Sequence, residues 1–444
     1  MSSDLEDKGF KIKSSIKNLF SEADLISIAK EQGFIKRQRK ILPIPLFWVL
    51  ILGIGSRSKR TIAHYHRQYQ AETGEKIYYS SFYERFDSQL VSFLQACMTH
   101  ALPALIARSS GSLLAQYQRF RDILVKDNTI VRLNAFLARK YPATRSRVVA
   151  AGIKVSVLLS VVVHGPKTIT FHPERTAEVK TLRVGPWVRD MLLLMDLGFY
   201  KHHIFARITE NGGYFVTRLK STANPVIDEI HSPCPKVLKE YCQGKKLRTV
   251  LYLFKGMDLD ASVSIDFKRR RYRDQQKVDC MKLRFIAEWN AETGSHHTYL
   301  TNIGSEGLSS SDIIALYKSR WEIELLFKEM KGGYGMDEVA SKNEHVIQVF
   351  LFAAIITLIV SRAVYHVIRN HLKDSDKGRL NHLLWSSVFV DNLPVVLMAI
   401  ILPFRIDREQ SLEDILWSRL WFTLSSQCID AHCSRKRLKD RIWA

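Results

Sequence analysis

Three carboxylates and three of their neighbours carry the chemistry legible in this chain. Asp127 closes the apolar run RDILVKD, Asp196 closes VRDMLLLMD, and Glu324 lies within LYKSRWEIELLFKEMK (316–331). A carboxylate at or just after an apolar strand is costly unless it is paired or bound to metal. Oxygen donors converging from separate elements at sheet ends suit Mg²⁺ or Mn²⁺. Two such ions about 4 Å apart can activate a nucleophile and stabilise the leaving oxygen in phosphodiester chemistry. Taken singly, an Asp at a strand end also fits a turn or cap residue.

The stretch around Glu324 must position the third carboxylate. It reads as one helix: it contains no Pro, no Gly before Gly332, and strong helix formers throughout. Ser309, Ser310 and Ser311 offer N-caps, and Gly332–Gly333 offers a stop. At about 100° per residue, Tyr317, Arg320, Glu324 and Lys331 fall within roughly 60° of arc and share a polar stripe. Ile323, Leu326, Phe327 and Met330 form the adjacent apolar stripe. A solvated surface helix has the same pattern, because Arg320–Glu324 and Glu324–Lys328 are ordinary i, i+4 pairs.

The chain has 444 residues, room for two or three domains, and a net charge of +22 with a pI near 9.7. That excess suits a polyanionic partner, most simply nucleic acid. Six cysteines without metal-type spacing read as reduced thiols of a cytosolic protein, and the N-terminus does not read as a signal peptide. The apolar segments 41–55, 346–360 and 393–404 fall short of the roughly 20 residues that span a bilayer. They are expected to be buried helices, and no membrane is expected.

The pattern along the chain is that of an α/β protein with helical ends. Residues 1–118 read as helical and basic. Within them, 56–93 suggest a helix–turn–helix: Lys59 and Arg60 on the first helix, a turn at 72–74, and a second helix capped by Ser81 and Glu84 that presents Arg85 to DNA. An ordinary helical hairpin fits the same residues. Strands and short helices fill 119–332, with a β-rich insertion at about 221–300. The insertion carries the basic run FKRRRYRDQQK, in which Lys268, Arg269, Arg270, Arg271 and Arg273 suit phosphate contact or a solvated edge strand. Residues 333–444 read as helical.

Three segments, taken together, resemble the acidic motifs of DDE insertion-sequence transposases of the insertion sequence four group. They are DNTIVRL (127–133), DLGFYKHHIFARITENGGYFVTRLK (196–220) and YLTNIGSEGLSSSDIIALYKSRWEIELLFKEMK (299–331), the last holding that group's tyrosine–arginine–glutamate–lysine signature. The resemblance implies a ribonuclease-H-like core with Asp127, Asp196 and Glu324 as ligands of Mg²⁺ or Mn²⁺. It also implies that Tyr317, Arg320 and Lys331 bind DNA phosphates beside the cut. The implied activity is cut-and-paste DNA transposition by a homodimer that pairs two transposon ends, in a cytoplasmic, nucleoid-associated protein. Family members can hold a flipped base with an aromatic residue of the insertion; here His296–His297 precede YLTN, with Trp289 and Tyr299 as the nearby aromatics. A non-catalytic DNA-binding protein or repressor descended from such an enzyme is the alternative. It would be marked by a lost carboxylate, and all three are present.

Overall fold

The computed structural model describes residues 3–35, 40–53, 61–107, 115–144, 149–269, 277–337, 341–377, 379–402 and 410–429. Its helices before the sheet are α1 (Ser3–Leu19), α2 (Glu22–Glu31), α3 (Pro43–Leu52), α4 (Ile62–Thr73), α5 (Tyr79–Tyr83) and α6 (Ser88–Ala107). The strands are β1 (Asp122–Leu133), β2 (Ala151–Ser160), β3 (Gly165–Pro173), β4 (Met191–Met195), β5 (Tyr214–Arg218), β6 (Val226–Ile230), β7 (Leu259–Lys268), β8 (Val278–Asn290) and β9 (Ser295–Thr301). Between them lie α7 (His202–Glu210), α8 (Lys236–Cys242) and α9 (Leu247–Val250). After β9 come α10 (Ser310–Lys318), α11 (Trp321–Lys328), α12 (Glu344–His371), α13 (Asp374–Lys377), α14 (His382–Asp391), α15 (Leu393–Ile401) and α16 (Gln410–Gln427).

The strands form one sheet in the order β3-β2-β1-β4-β5-β9-β8-β7-β6. β1, β2 and β3 are joined antiparallel, while β4 and β5 run parallel to β1. Burial explains the composition: every residue of β4 is buried, which is why it reads as a continuous apolar run, and β2 is buried throughout with Lys154, Ser156 and Ser160 among its apolar residues. Along β1 the side chains alternate. Ile123, Val125 and Val131 join the core beneath the terminal helices, whereas Leu124 joins the core on the opposite face with Leu193 and Phe205.

Within the insertion, β9 pairs antiparallel with β5 and carries the sheet outward through β8, β7 and β6. The helical ends flank the sheet together. α1 packs on α16 and α12, α6 on α12, and α3 on α15, so both ends build one helical body against the sheet. At its centre is α12, capped by Asn343 and apolar on all sides. It is 28 residues long, more than segment 346–360 alone suggested, and it is the one described unbroken helix long and apolar enough to cross a membrane. Its most apolar window is 94% buried inside this fold, as a core helix should be.

The helix–turn–helix also changes. α4 is capped by the Thr61 side chain and ends at left-handed Gly74, close to the expected turn. The second helix is only α5, five residues that start at Tyr79 without a side-chain cap. Ser81 and Glu84 therefore form no capping box, and Arg85 lies between α5 and α6 rather than on a helix.

Candidate active site

Parallel pairing of β1 with β4 sets the first two carboxylates level. The last ladder pair is Lys126 with Met195, so Asp127 and Asp196 are each the next residue on neighbouring strands. β1 runs on to Leu133, which places Asp127 mid-strand rather than at a strand end. Asp196 occupies the cap position of the 3₁₀ turn Leu197–Phe199, yet its side chain makes no cap hydrogen bond. Asp196 closes the turn through its backbone carbonyl alone, accepting from Phe199 N–H. Asp127 accepts from the backbone N–H of Asn128 at 2.7 Å. Burial pushes its pKa up to about 6; the charges of Asp196 and Glu178 act the same way, against Asn128 and Arg320.

Glu324 arrives on a bent segment. Ser309 forms the capping box of α10 with Asp312, as its position suggested. The single helix expected across 316–331 is broken, however. The Ser319 hydroxyl donates to the Leu316 carbonyl at 2.6 Å, and the backbone tightens to i, i+3 bonds through Arg320 and Ile323 before α11 resumes. A π turn over Glu329–Gly333 follows, closed by Tyr334 N–H to Glu329 C=O. Its far side is anchored by a buried network. Glu329 pairs with Arg362, and the Tyr334 hydroxyl bonds Ser361, which also accepts from the Trp385 indole.

The two irregularities redistribute the expected polar stripe. Arg320, at the bend, donates to Glu324 Oε1 at 2.7 Å and lies 3.7 Å from Asp127 Oδ2. One guanidinium thus spans the first and third carboxylates, and Asp196 is near enough for its charge to act on that guanidinium. Tyr317 lies close to them, near enough for the charges of Arg320 and Asp196 to act on its hydroxyl. It is 7% exposed, packs edge-on to Tyr299 at 5.3 Å, and its hydroxyl is buried without a well-formed hydrogen bond. Burial pushes that phenol up to about 12. Lys331 is turned toward β1, where it donates to the Ile130 carbonyl at 2.9 Å and lies 3.6 Å from Asp337.

A fourth acid, Glu178, was not legible in the sequence. It begins the 3₁₀ turn Glu178–Thr181, which packs on the turn that follows Asp196. A Cβ at Gly198 would lie 1.4 Å from Glu178 Oε2, so the glycine of DLGF makes room for this carboxylate. That glycine is the only local signal, and it does not say which residue it accommodates.

The remaining DNA-contact expectations fare unevenly. The Arg85 guanidinium lies over the Phe34 ring at 5.0 Å instead of projecting from a helix. Lys268 is exposed at the end of β7, but Arg269 is held by Asp279 at 2.6 Å and Glu210 at 2.5 Å. Lys59, Arg60, Arg270, Arg271 and Arg273 lie outside the described residues. Of the aromatic candidates, Tyr299 is buried in the sheet, while Trp289 meets His296 edge-on at 4.9 Å near the β8–β9 turn.

All-oxygen donors with surplus negative charge, and an arginine already spanning two of them, fit a hard divalent ion. A second cluster does not fit as well. His164, Glu322 and His382 have ligand atoms within 4.8 Å of one another, on the other side of α11. Arg362 lies 3.1 Å from His382 Nδ1 and can only donate there, so that ring carries its proton on Nε2, the atom that would have to ligate.

Residues 118–360, more than half of the chain, match the family described as the transposase DDE domain. The chain belongs to this family and is a DDE-type transposase; its members generally use a divalent metal. Its nearly full-length relatives are transposases of insertion sequence elements. Those of IS231C from Bacillus thuringiensis subsp. berliner are 22% identical over 85% of this chain and 84% of the relative. The transposase of IS231F from Bacillus thuringiensis subsp. israelensis is 23% identical over 83% of each, and that of IS1151 from Clostridium perfringens 19% over 84% of each. A piggyBac transposase in a synaptic complex with hairpin DNA is similar at a TM-score of 0.47 and 10% identity, over 95% of this chain and 86% of that one, too remote to argue from.

Proposed function

We propose that the chain cuts DNA at transposon ends and joins the freed ends to target DNA, with Asp127, Asp196 and Glu324 holding two divalent ions, Mg²⁺ or Mn²⁺. The observation that carries this reading is the level placement of Asp127 and Asp196, with Arg320 linking Asp127 to Glu324. The antiparallel β3-β2-β1 followed by parallel β4 and β5 supports a ribonuclease-H-like core. When bound, the ions supply charge stabilisation to the attacking and leaving oxygens of the phosphodiester. Arg320 is placed to transfer its donors from Glu324 to a phosphate, for which its planar fork is suited. Lys331, fixed on β1 at the Ile130 carbonyl, presents a second positive charge to the strand. The Tyr317 hydroxyl, beside Arg320, supports that guanidinium where it meets the phosphate. Two protomers pair two ends in a synaptic complex, in a cytoplasmic protein associated with the nucleoid.

The test is cleavage of DNA bearing the element's own ends, with Mg²⁺ or Mn²⁺. Alanine at Asp127, Asp196 or Glu324 is expected to abolish nicking and to spare DNA binding. Near-wild-type nicking by any one of these variants removes that residue from the centre.

A further inference from the structure

β3 is the outer strand of the sheet, and a groove of about 800 Å³ lies against it, lined by 167–172. One wall comes from α6 and α12. The other is the segment after β3, with Lys180, Arg183 and Trp187. Lys126 and His172 face in from the sheet, and none of the described residues lining the groove is acidic. Lys167 stands at one end, 3.4 Å from Asp122, so its charge is partly spent.

The groove is positive by electrostatics as well as by composition. His172 is held below its ordinary pKa, first by burial and then by the charges of Lys126, Lys154 and Arg183. Lys126 is 3% exposed and donates to the Ser156 hydroxyl. Such a concentration of cations calls for an anion. Lys180 and Arg183 are exposed and placed to supply the first contacts.

The groove and the carboxylate centre share a wall. The Thr181 hydroxyl donates to Asn128 Oδ1, next to Asp127, and Glu178 at the other end of that short turn faces the carboxylates. A chain whose phosphodiester lies at Asp127 and Asp196 therefore passes over 178–181 into the groove. Half-exposed Trp187, whose indole N–H donates to the Arg183 carbonyl, adds a ring face beside the cations.

We propose that this groove seats the backbone of a DNA strand flanking the reaction centre, with Lys180 and Arg183 on consecutive phosphates and Trp187 against a base. The inference rests on the reading of the carboxylates as a phosphodiester site. An extended acidic peptide pairing with the β3 edge is the competing occupant. Adjacency to the carboxylates favours the DNA strand.

The test uses the full chain, a duplex carrying an element end, and binding isotherms at several salt concentrations. Lys180→Glu/Arg183→Glu is expected to weaken binding at least tenfold at low salt. Lys180→Gln/Arg183→Gln is expected to flatten the log–log salt slope by about 1.8, two phosphates at roughly 0.9 each. A charge-matched control, Lys236→Glu/Lys255→Glu on the insertion, is expected to keep the wild-type slope. A wild-type slope in the groove variants overturns the proposal, as does an equal loss in the control. Lost affinity for a poly-glutamate peptide with unchanged DNA binding overturns it in favour of a peptide. A wild-type chain that neither binds nor cuts DNA sinks the functional reading itself, whereas normal cutting by a groove variant with the wild-type slope sinks only the groove.

Discussion

The segment from Tyr317 to Gly333 carries an arginine–carboxylate pairing at each end, and the two differ in kind. At the front, Arg320 spans Glu324 and Asp127 with side chains 19%, 31% and 19% exposed and one contact as long as 3.7 Å. At the back, Arg362 meets Glu329 with side chains 3% and 1% exposed, inside a hydrogen-bonded network. The front pairing is loose enough to exchange its partner for a phosphate or an ion. The back pairing has no such freedom, because separating it would leave a buried charge. A working site and its scaffold are here told apart by solvent access and geometry, not by residue type.

The largest expected effect breaks the front. Asp127→Ala, Asp196→Ala or Glu324→Ala should lower the cleavage rate on the order of 10³-fold or more, about 4 kcal/mol of barrier, with little loss of folding stability. Cleavage rates and urea midpoints on the same preparations check both halves; comparable destabilisation would erase the contrast. The next effect breaks the back. Arg362→Met should cost about 3–5 kcal/mol in denaturant unfolding by stranding Glu329, and Glu329→Met/Arg362→Met should recover much of that loss. If the double variant is no better than the single one, the pairing is not the cause.

Acid should act on the two ends with opposite signs. His366, bonded to the Val163 carbonyl, is pushed down to about 4 by burial, with Arg362 and Arg369 acting the same way. Its folded pKa lies below the unfolded value of about 6.5. Its contribution is therefore whole above pH 6.5 and declines toward pH 4, by about 3 kcal/mol in total. Asp127, pushed up to about 6, works the other way: the fold gains as pH falls through 6 and the buried carboxyl takes up its proton. Urea midpoints from pH 7 to 4.5 should fall less steeply in His366→Gln and more steeply in Asp127→Asn than in wild type. The smallest effect sharpens the front: Arg320→Met should change stability by no more than about 1 kcal/mol while weakening capture of the cut strand. A larger stability loss, measured beside a strand-transfer assay, would move Arg320 into the scaffold.

What could be read from the residues follows from what is local. The apolar runs before Asp127 and Asp196, the Ser309 cap and the helical ends depend on near neighbours, and each is found in the structure. The bend at Ser319 was hidden because the i, i+4 pattern persists across it, and one serine hydroxyl decides the geometry. The merging of the insertion with the sheet depends on β5 meeting β9, across more than 80 residues of chain. Glu178 and Lys126 gain their meaning only from strands and turns that the sequence does not place together. For 79–85 the local signal misled: Ser81 and Glu84 are spaced like a cap, but the chain turns helical two residues earlier and stops at Tyr83.

The pairing of β9 with β5 also orders events in time. Asp127 and Asp196 lie on adjacent strands made early in synthesis, whereas Glu324 is delivered by α11 only after the whole excursion through β6, β7 and β8 has returned to β5. Such a long-range closure is slow to form, because the entropy of a large loop must be lost before any contact is gained. A nascent chain therefore lacks Glu324, and its carboxylate centre stays incomplete until the last strand docks. Hydrogen exchange on ribosome-arrested chains should show β1 and β4 protected before β9; simultaneous protection would mean that the centre assembles in one step.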